Sequence, residues 1–265
     1  MAEYTAKDRV ADLRKRTGAG ILDCRQALEE NGGEVEAAAK WLVEKGKISA
    51  GKRADRERSE GAVAVVIDAA RGAIVALECE TDFVAKSAEF VQLVDELAAE
   101  LATGGEAALE VQKERVEKLA ITSKENVALG QCVRFEAPEG SVLDSYLHIQ
   151  NGRGVNAVLV ELAGGTQELA HDIAVHIAFA RPEYLRREDV PEQVVATERQ
   201  TAETIARNEG KPEAALQKIV EGRLQGWYKE HCLLDQPYVR DEKQTIAALL
   251  GPAEVRRFAQ VVVGA

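Results

Sequence analysis

Histidine is a frequent proton carrier and metal ligand near neutral pH, and this chain has four, at His148, His171, His176 and His231. Five positions separate His171 from His176, which is about 140° around a helix, so they do not share a face as two metal ligands would. The G-x-S-x-G, H-E-x-x-H and P-loop motifs do not occur. We therefore expect no enzyme, metal or cofactor, and a hydrolase using the histidines is an alternative that metal analysis would test.

Cysteine could supply metal or redox chemistry, but the four cysteines form no C-x-x-C pair. They are Cys24, Cys79, Cys132 and Cys232. We expect each to be a small buried hydrophobe. This usage favours a reduced, cytoplasmic protein.

The most informative segment is ECETDFVAK, residues 78–86, which joins a predicted strand to a predicted helix. Thr81 and Asp82 are turn and cap formers, so Phe83 and Val84 stand at a corner. Two interpretations are open: a hydrophobic staple packed into the local core, or an aromatic anchor for a partner's pocket with a carboxylate beside it. Burying such a phenylalanine in a partner would contribute roughly 1.5–3 kcal/mol.

The composition narrows the classes of protein to which this segment can belong. Lys plus Arg is 34, Asp plus Glu is 45, and the net charge of −11 argues against direct nucleic-acid binding. A content of 46% hydrophobic and 30% charged residues is typical of a folded chain. No apolar run approaches the roughly 20 residues of a membrane span, and the first residues lack a secretory signal.

Residues 1–45 show the pattern of three short helices. Their apolar faces consist of Ala6, Val10 and Leu13; Cys24, Ala27 and Leu28; and Val35, Ala38, Ala39 and Leu42. Residues 46–60 are rich in cations and predict a linker or an exposed helix. This segment is either a solvated connector or a docking strip for an acidic partner.

The middle of the chain contains an approximate internal repeat of two strands and a helix. Residues 62–67 and 73–79 predict strands, and a helix follows with Ser87 as its N-cap and Phe90, Leu93, Val94, Leu97 and Leu101 on one face. Residues 142–149 and 155–162 repeat the strands around the turn Asn151-Gly152, before a helix with Leu169, Ile173 and Ile177. Between the units, residues 103–130 have weak helical character and 131–135 predict a further strand.

Two long helices, at 191–208 and 212–229, are predicted after the repeat. The break between them at 208–212 fits an antiparallel helical hairpin. Because such a hairpin has a thin core, it either projects towards a partner or packs on its own body.

An ordered set of motifs resembles the elongation factor Ts family. LRxxTGAG at 13–20 and DCRxAL at 23–28 are similar to its N-terminal signature, and CETDFVAK at 79–86 is similar to its second signature. Further matches follow in chain order: SYxH at 145–148, IAxHIA at 173–178, PEYL at 182–185, VEGR at 220–223 and QPYV at 236–239.

The resemblance implies an α+β fold with an N-terminal three-helix module of ubiquitin-associated type, a core of two related β-hairpin-plus-helix subdomains and a coiled-coil hairpin. The boundaries expected are 1–45 for the module, 46–60 for the basic linker, 61–139 and 140–190 for the subdomains, 191–232 for the hairpin and 233–265 for a segment returning to the core.

The resemblance also implies a bacterial guanine-nucleotide exchange factor that releases GDP from elongation factor Tu by disturbing its Mg²⁺ and phosphate sites. The implied partner-binding residues are Thr81, Asp82, Phe83 and Val84 at the corner, and Arg14, Ile21, Leu22 and His148 elsewhere. Ile21 and Leu22 depart from the family, which often has two methionines there. A non-exchanging interaction or holdase protein for a GTPase is the alternative, and monomer, homodimer and heterotetramer with elongation factor Tu are all open.

Overall fold

The computed structural model describes residues 5–264 and has the predicted α+β architecture. Three helices form the N-terminal module: α1 (Ala6–Thr17), α2 (Ile21–Glu30) and α3 (Val35–Gly51). Their common core consists of Leu13, Cys24, Ala27, Leu28, Ala38 and Leu42. These residues belong to the predicted apolar faces, so the three-helix prediction is confirmed.

The basic segment after the module is more structured than a free connector. Helix α3 continues through Gly51, because no proline interrupts it beyond residue 45. The guanidinium of Arg53 then donates to the carbonyl oxygen of Ala120 at 3.2 Å. Arg58 donates to the carboxylate of Glu78, also at 3.2 Å. Residues 46–60 therefore form the end of α3 and a hydrogen-bonded turn. Both lie against the rest of the chain from residue 61 onwards, which we call the body.

The first sheet is antiparallel, and its strands lie in the order β1 (Glu60–Asp68), β2 (Arg71–Cys79), β3 (Ala128–Glu136). The short helix α4 (Asp82–Ala85) follows β2, and the long helix α5 (Ala88–Gly104) covers the sheet. The Ser87 hydroxyl caps α5 by accepting a hydrogen bond from the Phe90 N–H at 3.3 Å. The five predicted face residues of α5 are all buried, which confirms both the helix and its cap.

Residues 103–130 contain two helices, α6 (Glu106–Val111) and α7 (Lys113–Ser123), where the sequence showed only weak helical character. Strand β3 also begins at Ala128, three residues before the predicted start. Helix α7 lies against α3, so the first subdomain contacts the N-terminal module.

The second unit repeats the pattern with β4 (Ser141–Gln150), β5 (Arg153–Ala163) and α8 (Gln167–Ala180). Asn151 (φ 53°) and Gly152 (φ 79°) form the predicted tight turn between the strands, since both adopt the left-handed conformation that such hairpins need. The prediction of two related units is therefore confirmed.

The helical hairpin consists of α9 (Glu192–Asn208) and α10 (Glu213–His231). Its thin interior is made by Ala202, Val220 and Leu224, with Tyr228 packed against them. At the base of the hairpin, the Trp227 ring stacks on His231 at 4.3 Å between ring centroids.

The remaining chain returns to the body through β6 (Pro237–Tyr238), β7 (Asp241–Thr245), α11 (Ile246–Leu250) and β8 (Glu254–Val262). Strand β8 pairs with β5, which gives the second sheet the order β4-β5-β8. Within residues 5–264, no helix is both long and apolar enough to cross a bilayer.

The two sheets pack against each other over a shared core that includes Val63, Ile74, Leu159 and Val261. The sheets approach closely at Gly154, where a Cβ atom would lie 2.1 Å from the Val63 carbonyl oxygen. Only glycine fits at that distance, so this position fixes how β5 crosses β1. The packing brings the hairpin of the second unit to the first sheet.

Candidate partner-binding surface

A tight corner joins the first sheet to its covering helix. Strand β2 ends at Cys79, α4 begins at Asp82 and α5 begins at Ala88. The Thr81 hydroxyl caps α4 by accepting a hydrogen bond from the Val84 N–H at 3.4 Å. A strand and two helices thus meet within a few residues, and we call residues 80–86 the corner segment.

Phe83 projects from the corner segment into solvent. Its exposed fraction is 84%, whereas Val84 is half-buried against the core of the first unit and Ala85 is fully buried. Val84 therefore makes the contact expected of a hydrophobic staple, and Phe83 does not. The structure rules out the interpretation of Phe83 as part of the local core.

An ionised carboxylate lies beside this ring. Lys86 Nζ donates to Asp82 Oδ2 at 2.5 Å, one helical turn along the chain. This hydrogen bond lowers the pKa of Asp82 below its ordinary value. The exposed surface at this point combines a large apolar ring with a negative charge and its counter-ion.

Cys79, at the base of the corner segment, is chemically inert. Burial raises the pKa of its thiol to about 12, and the nearby Glu125 carboxylate acts in the same direction. The thiol donates to the Thr81 carbonyl oxygen at 3.2 Å. Cys79 is thus a protonated, buried side chain, as predicted for a structural cysteine.

His148 lies on the hairpin at the same end of the molecule as the corner segment. Arg153 in that hairpin donates to Glu60 Oε2 at 2.6 Å, and Glu60 lies opposite Cys79 in the first sheet. The His148 ring is exposed, with its Nδ1 3.5 Å from the Tyr146 hydroxyl. The assignment of His148 as a partner contact stays a prediction.

The N-terminal module presents the other predicted contact residues. Arg14 is exposed on α1, and Ile21 and Leu22 are 48% and 78% exposed at the start of α2. The next residue, Asp23, accepts a hydrogen bond from Lys124 Nζ at 2.8 Å. This bond ties the exposed apolar pair to the connection between α7 and β3.

The remaining histidines of the predicted alternative site serve different parts of the fold. His171 Nδ1 lies 3.1 Å from an Asp144 carboxylate oxygen, whereas His176 is buried with Nε2 2.9 Å from Gln236 Oε1. In the part of the chain that the structure describes, no cluster of three or more His, Cys, Asp or Glu side chains is arranged to hold a metal ion.

Sequence reasoning missed Glu125, whose carboxylate contacts the corner segment from the connection between α7 and β3. The contact spans 44 residues, and no local pattern of residue types pointed to it. Glu125 lies within residues 103–130, where the pattern of residues indicated only weak helical character.

The chain matches the family model described as elongation factor Ts over residues 80–265. It is 43% identical to elongation factor Ts of Renibacterium salmoninarum and 42% identical to that of Kineococcus radiotolerans, with 100% of both chains covered in each comparison. It is 40% identical to elongation factor Ts of Symbiobacterium thermophilum, over 100% of this chain and 93% of that protein. The ordered motifs, the repeated α+β core and these full-length matches agree that the chain belongs to the elongation factor Ts family.

Proposed function

We propose that this chain is a guanine-nucleotide exchange factor that binds elongation factor Tu in its GDP form and accelerates the release of GDP, so that GTP can rebind. The observation that carries the proposal is the 84% exposure of Phe83 on a backbone held by the first sheet and α5. An aromatic ring held in solvent by a well-packed base is suited to fill a pocket on a partner.

The corner segment would act as a wedge. Phe83 enters the GTP-binding domain of elongation factor Tu, Asp82 is its polar neighbour, and Thr81 and Val84 complete the surface. Burying the ring supplies roughly 1.5–3 kcal/mol. That free energy favours the partner conformation in which the Mg²⁺ and phosphate sites are disturbed. Because Mg²⁺ neutralises phosphate charge, its displacement weakens the binding of GDP.

No bond is made or broken in this mechanism. The factor binds nucleotide-free elongation factor Tu more tightly than the GDP form, and by linkage it weakens GDP binding by the same factor. Faster release then proceeds through a ternary complex of the factor, elongation factor Tu and GDP.

The exposed residues on neighbouring elements would extend the interface. Arg14, Ile21 and Leu22 would contact the same GTP-binding domain, and His148 would make a second contact from its hairpin. The exposure of the two apolar residues supports this assignment. We expect the protein to work in the cytoplasm with elongation factor Tu, and the mass of the complex would distinguish a one-to-one assembly from a heterotetramer.

The test follows the release of a fluorescent GDP from elongation factor Tu, with excess unlabelled GDP and the factor far below stoichiometric amounts. We expect Phe83→Ala to lower the release rate by roughly 10–100-fold, the loss equivalent to the buried ring. Phe179→Ala is the matched control, since Phe179 is 78% exposed on α8. Asp82→Ala tests the polar neighbour in the same assay.

Three outcomes are distinguishable. Acceleration by the wild type that Phe83→Ala loses and Phe179→Ala keeps supports the proposal. Acceleration that all variants keep would leave the exchange activity standing and remove the wedge assignment. Binding of elongation factor Tu without faster release would favour the holdase alternative, because a holdase does not need a corner that expels nucleotide.

A further inference from the structure

We infer that Glu125 is a positioning residue for the Phe83 wedge. Its carboxylate, on the connection between α7 and β3, holds the backbone from which the ring projects. This inference rests on the proposed function, because it assigns Glu125 a role in exchange through Phe83.

Three hydrogen bonds join Glu125 to the start of the corner segment. Its Oε2 accepts from the backbone N–H groups of Glu80 at 3.1 Å and Thr81 at 3.0 Å. Its Oε1 accepts from the Thr81 hydroxyl at 2.5 Å. Bonds to an ionised acceptor are stronger than neutral ones, so one side chain fixes two successive peptide groups and one side chain.

The bond to the Thr81 hydroxyl also orients the cap of α4. That hydroxyl has one proton, and donating it to Glu125 leaves the oxygen lone pairs to accept from the Val84 N–H. Helix α4 has four residues, which is too short to be stable by its own hydrogen bonds. The direction of Phe83, the second residue of α4, therefore depends on this external support.

The connection that carries Glu125 is itself anchored. The next residue, Asn126, is buried, and its Nδ2 donates to the carbonyl oxygens of Ala54 at 3.0 Å and Arg56 at 2.7 Å. Its backbone N–H donates to Glu80 Oε1 at 2.7 Å. Residues 125–126 and 80–81 are thus joined by hydrogen bonds that each segment both donates and accepts, and these bonds make the base of the wedge rigid.

Rigidity at this point has a consequence for exchange. A loose corner segment would have to be ordered when the ring enters the partner, and that ordering would oppose insertion. A corner segment already held by Glu125 avoids this cost. The benefit arises at the step in which the ring inserts, so it appears in the rate of GDP release more than in the initial encounter.

The experiment measures GDP release from elongation factor Tu across a range of factor concentrations. For Glu125→Ala we expect the release rate at saturating factor to fall about tenfold, with little change in the half-saturating concentration. Glu125→Gln keeps an oxygen for the two N–H groups but cannot accept the Thr81 proton through its amide nitrogen. It should lose about threefold, and it keeps the test available where the alanine variant folds poorly. Glu114→Ala, at an exposed glutamate on α7, is the control and should match the wild type.

A double-mutant cycle with Phe83→Ala separates positioning from general loss of structure. A residue that acts through the ring has nothing to position once the ring is gone, so Glu125→Gln should cause no further loss in the Phe83→Ala background. An equal loss in both backgrounds, or wild-type release at saturation for both Glu125 variants, would overturn the inference. A wild type that fails to accelerate release overturns the proposed function itself, and that result is distinct from a failure at Glu125 alone.

Discussion

At the residue scale, two phenylalanines of the first unit have opposite environments. Phe90 is the largest fully buried side chain of the described residues, whereas Phe83 is 84% exposed. Phe90 lies on the apolar face of α5 and stabilises the fold through that burial. Phe83 buries little area in the fold and therefore adds little to folding stability.

The buried His176 is a second side chain whose chemistry is set by its surroundings. The Val239 N–H donates to its Nδ1 at 3.4 Å, so Nε2 carries the proton and donates to Gln236 Oε1 at 2.9 Å. Burial lowers the pKa of His176, because desolvation disfavours the imidazolium. The ring is therefore neutral in the folded state, whereas in the unfolded chain it has the usual pKa of a histidine.

This difference predicts an acid-sensitive stability. Above pH about 6.5 the ring is neutral in both states, and stability is unaffected. As the pH falls below that value, the unfolded chain takes up a proton that the folded chain does not. We expect the free energy of unfolding to decrease by at most about 1.4 kcal/mol per pH unit from this group, until the lowered pKa is reached. Urea titrations at several pH values would show a smaller pH slope for His176→Gln, and an unchanged slope would contradict the argument.

The residue-scale content of the site was partly predictable from the sequence. The corner segment was found because turn-forming residues and two apolar residues lie together in the sequence. Whether Phe83 or Val84 packs inward was not predictable, since a staple and an anchor have the same local pattern. Glu125 could not be found, because its partner backbone groups lie 44 and 45 residues away.

At the element scale, hydroxyl caps recur where helices begin. Thr81, Ser87, Thr166 and Thr245 each accept a hydrogen bond at the start of a helix. Each bond satisfies one backbone N–H that the first turn leaves without a partner. These caps fix where the covering helices α5 and α8 begin over their sheets.

Removing the cap of α5 should lower stability measurably. We expect Ser87→Ala to decrease the free energy of unfolding by about 1 kcal/mol, because the Phe90 N–H loses its acceptor. Ser87→Asp retains an acceptor and should stay close to the wild type. Chemical denaturation followed by circular dichroism would measure both, and equal stability of the alanine and aspartate variants would show that the cap contributes little.

The helices differ in how well the sequence predicted them. Helix α5 and the helical hairpin were predicted because each sustains its apolar period over several turns. Helices α6 and α7 were not predicted as separate helices from the sequence. They bury only one and three residues, respectively, and Gln112 separates them. Their position is set by contact with the first sheet's core and with α3, and such tertiary contacts leave no periodic signal.

At the scale of the whole molecule, the cores are arranged in two groups. The two sheets share a core in which Leu159 is fully buried. Its Cδ1 atom packs so close to Gly72 that a Cβ there would lie only 2.7 Å from it. The N-terminal module has a core of its own around Leu13. Between the groups lies a narrower contact, where a Cβ on Gly46 would come within 2.5 Å of Ile121.

This arrangement predicts that the module and the body unfold separately. The chain has two tryptophans, Trp41 in α3 and Trp227 in α10, so Trp227→Phe leaves a reporter for the module and Trp41→Phe leaves one for the body. Leu13→Ala should decrease stability by about 2–5 kcal/mol at the Trp41 reporter alone. Leu159→Ala should decrease stability by a similar amount at the Trp227 reporter alone.

The physical reason is that cavity costs are confined to the cooperative unit that contains the cavity. Besides the contact of Gly46 with Ile121, the groups are joined by the exposed ion pair of Lys124 with Asp23, and exposed ion pairs couple units weakly. Fluorescence-detected urea unfolding of the two single-tryptophan proteins would measure both midpoints. If either alanine variant shifted both reporters equally, the module would be part of one cooperative unit. The exposed pair Ile21 and Leu22 would then be held as firmly as the wedge, and the two would meet a partner as a single rigid surface.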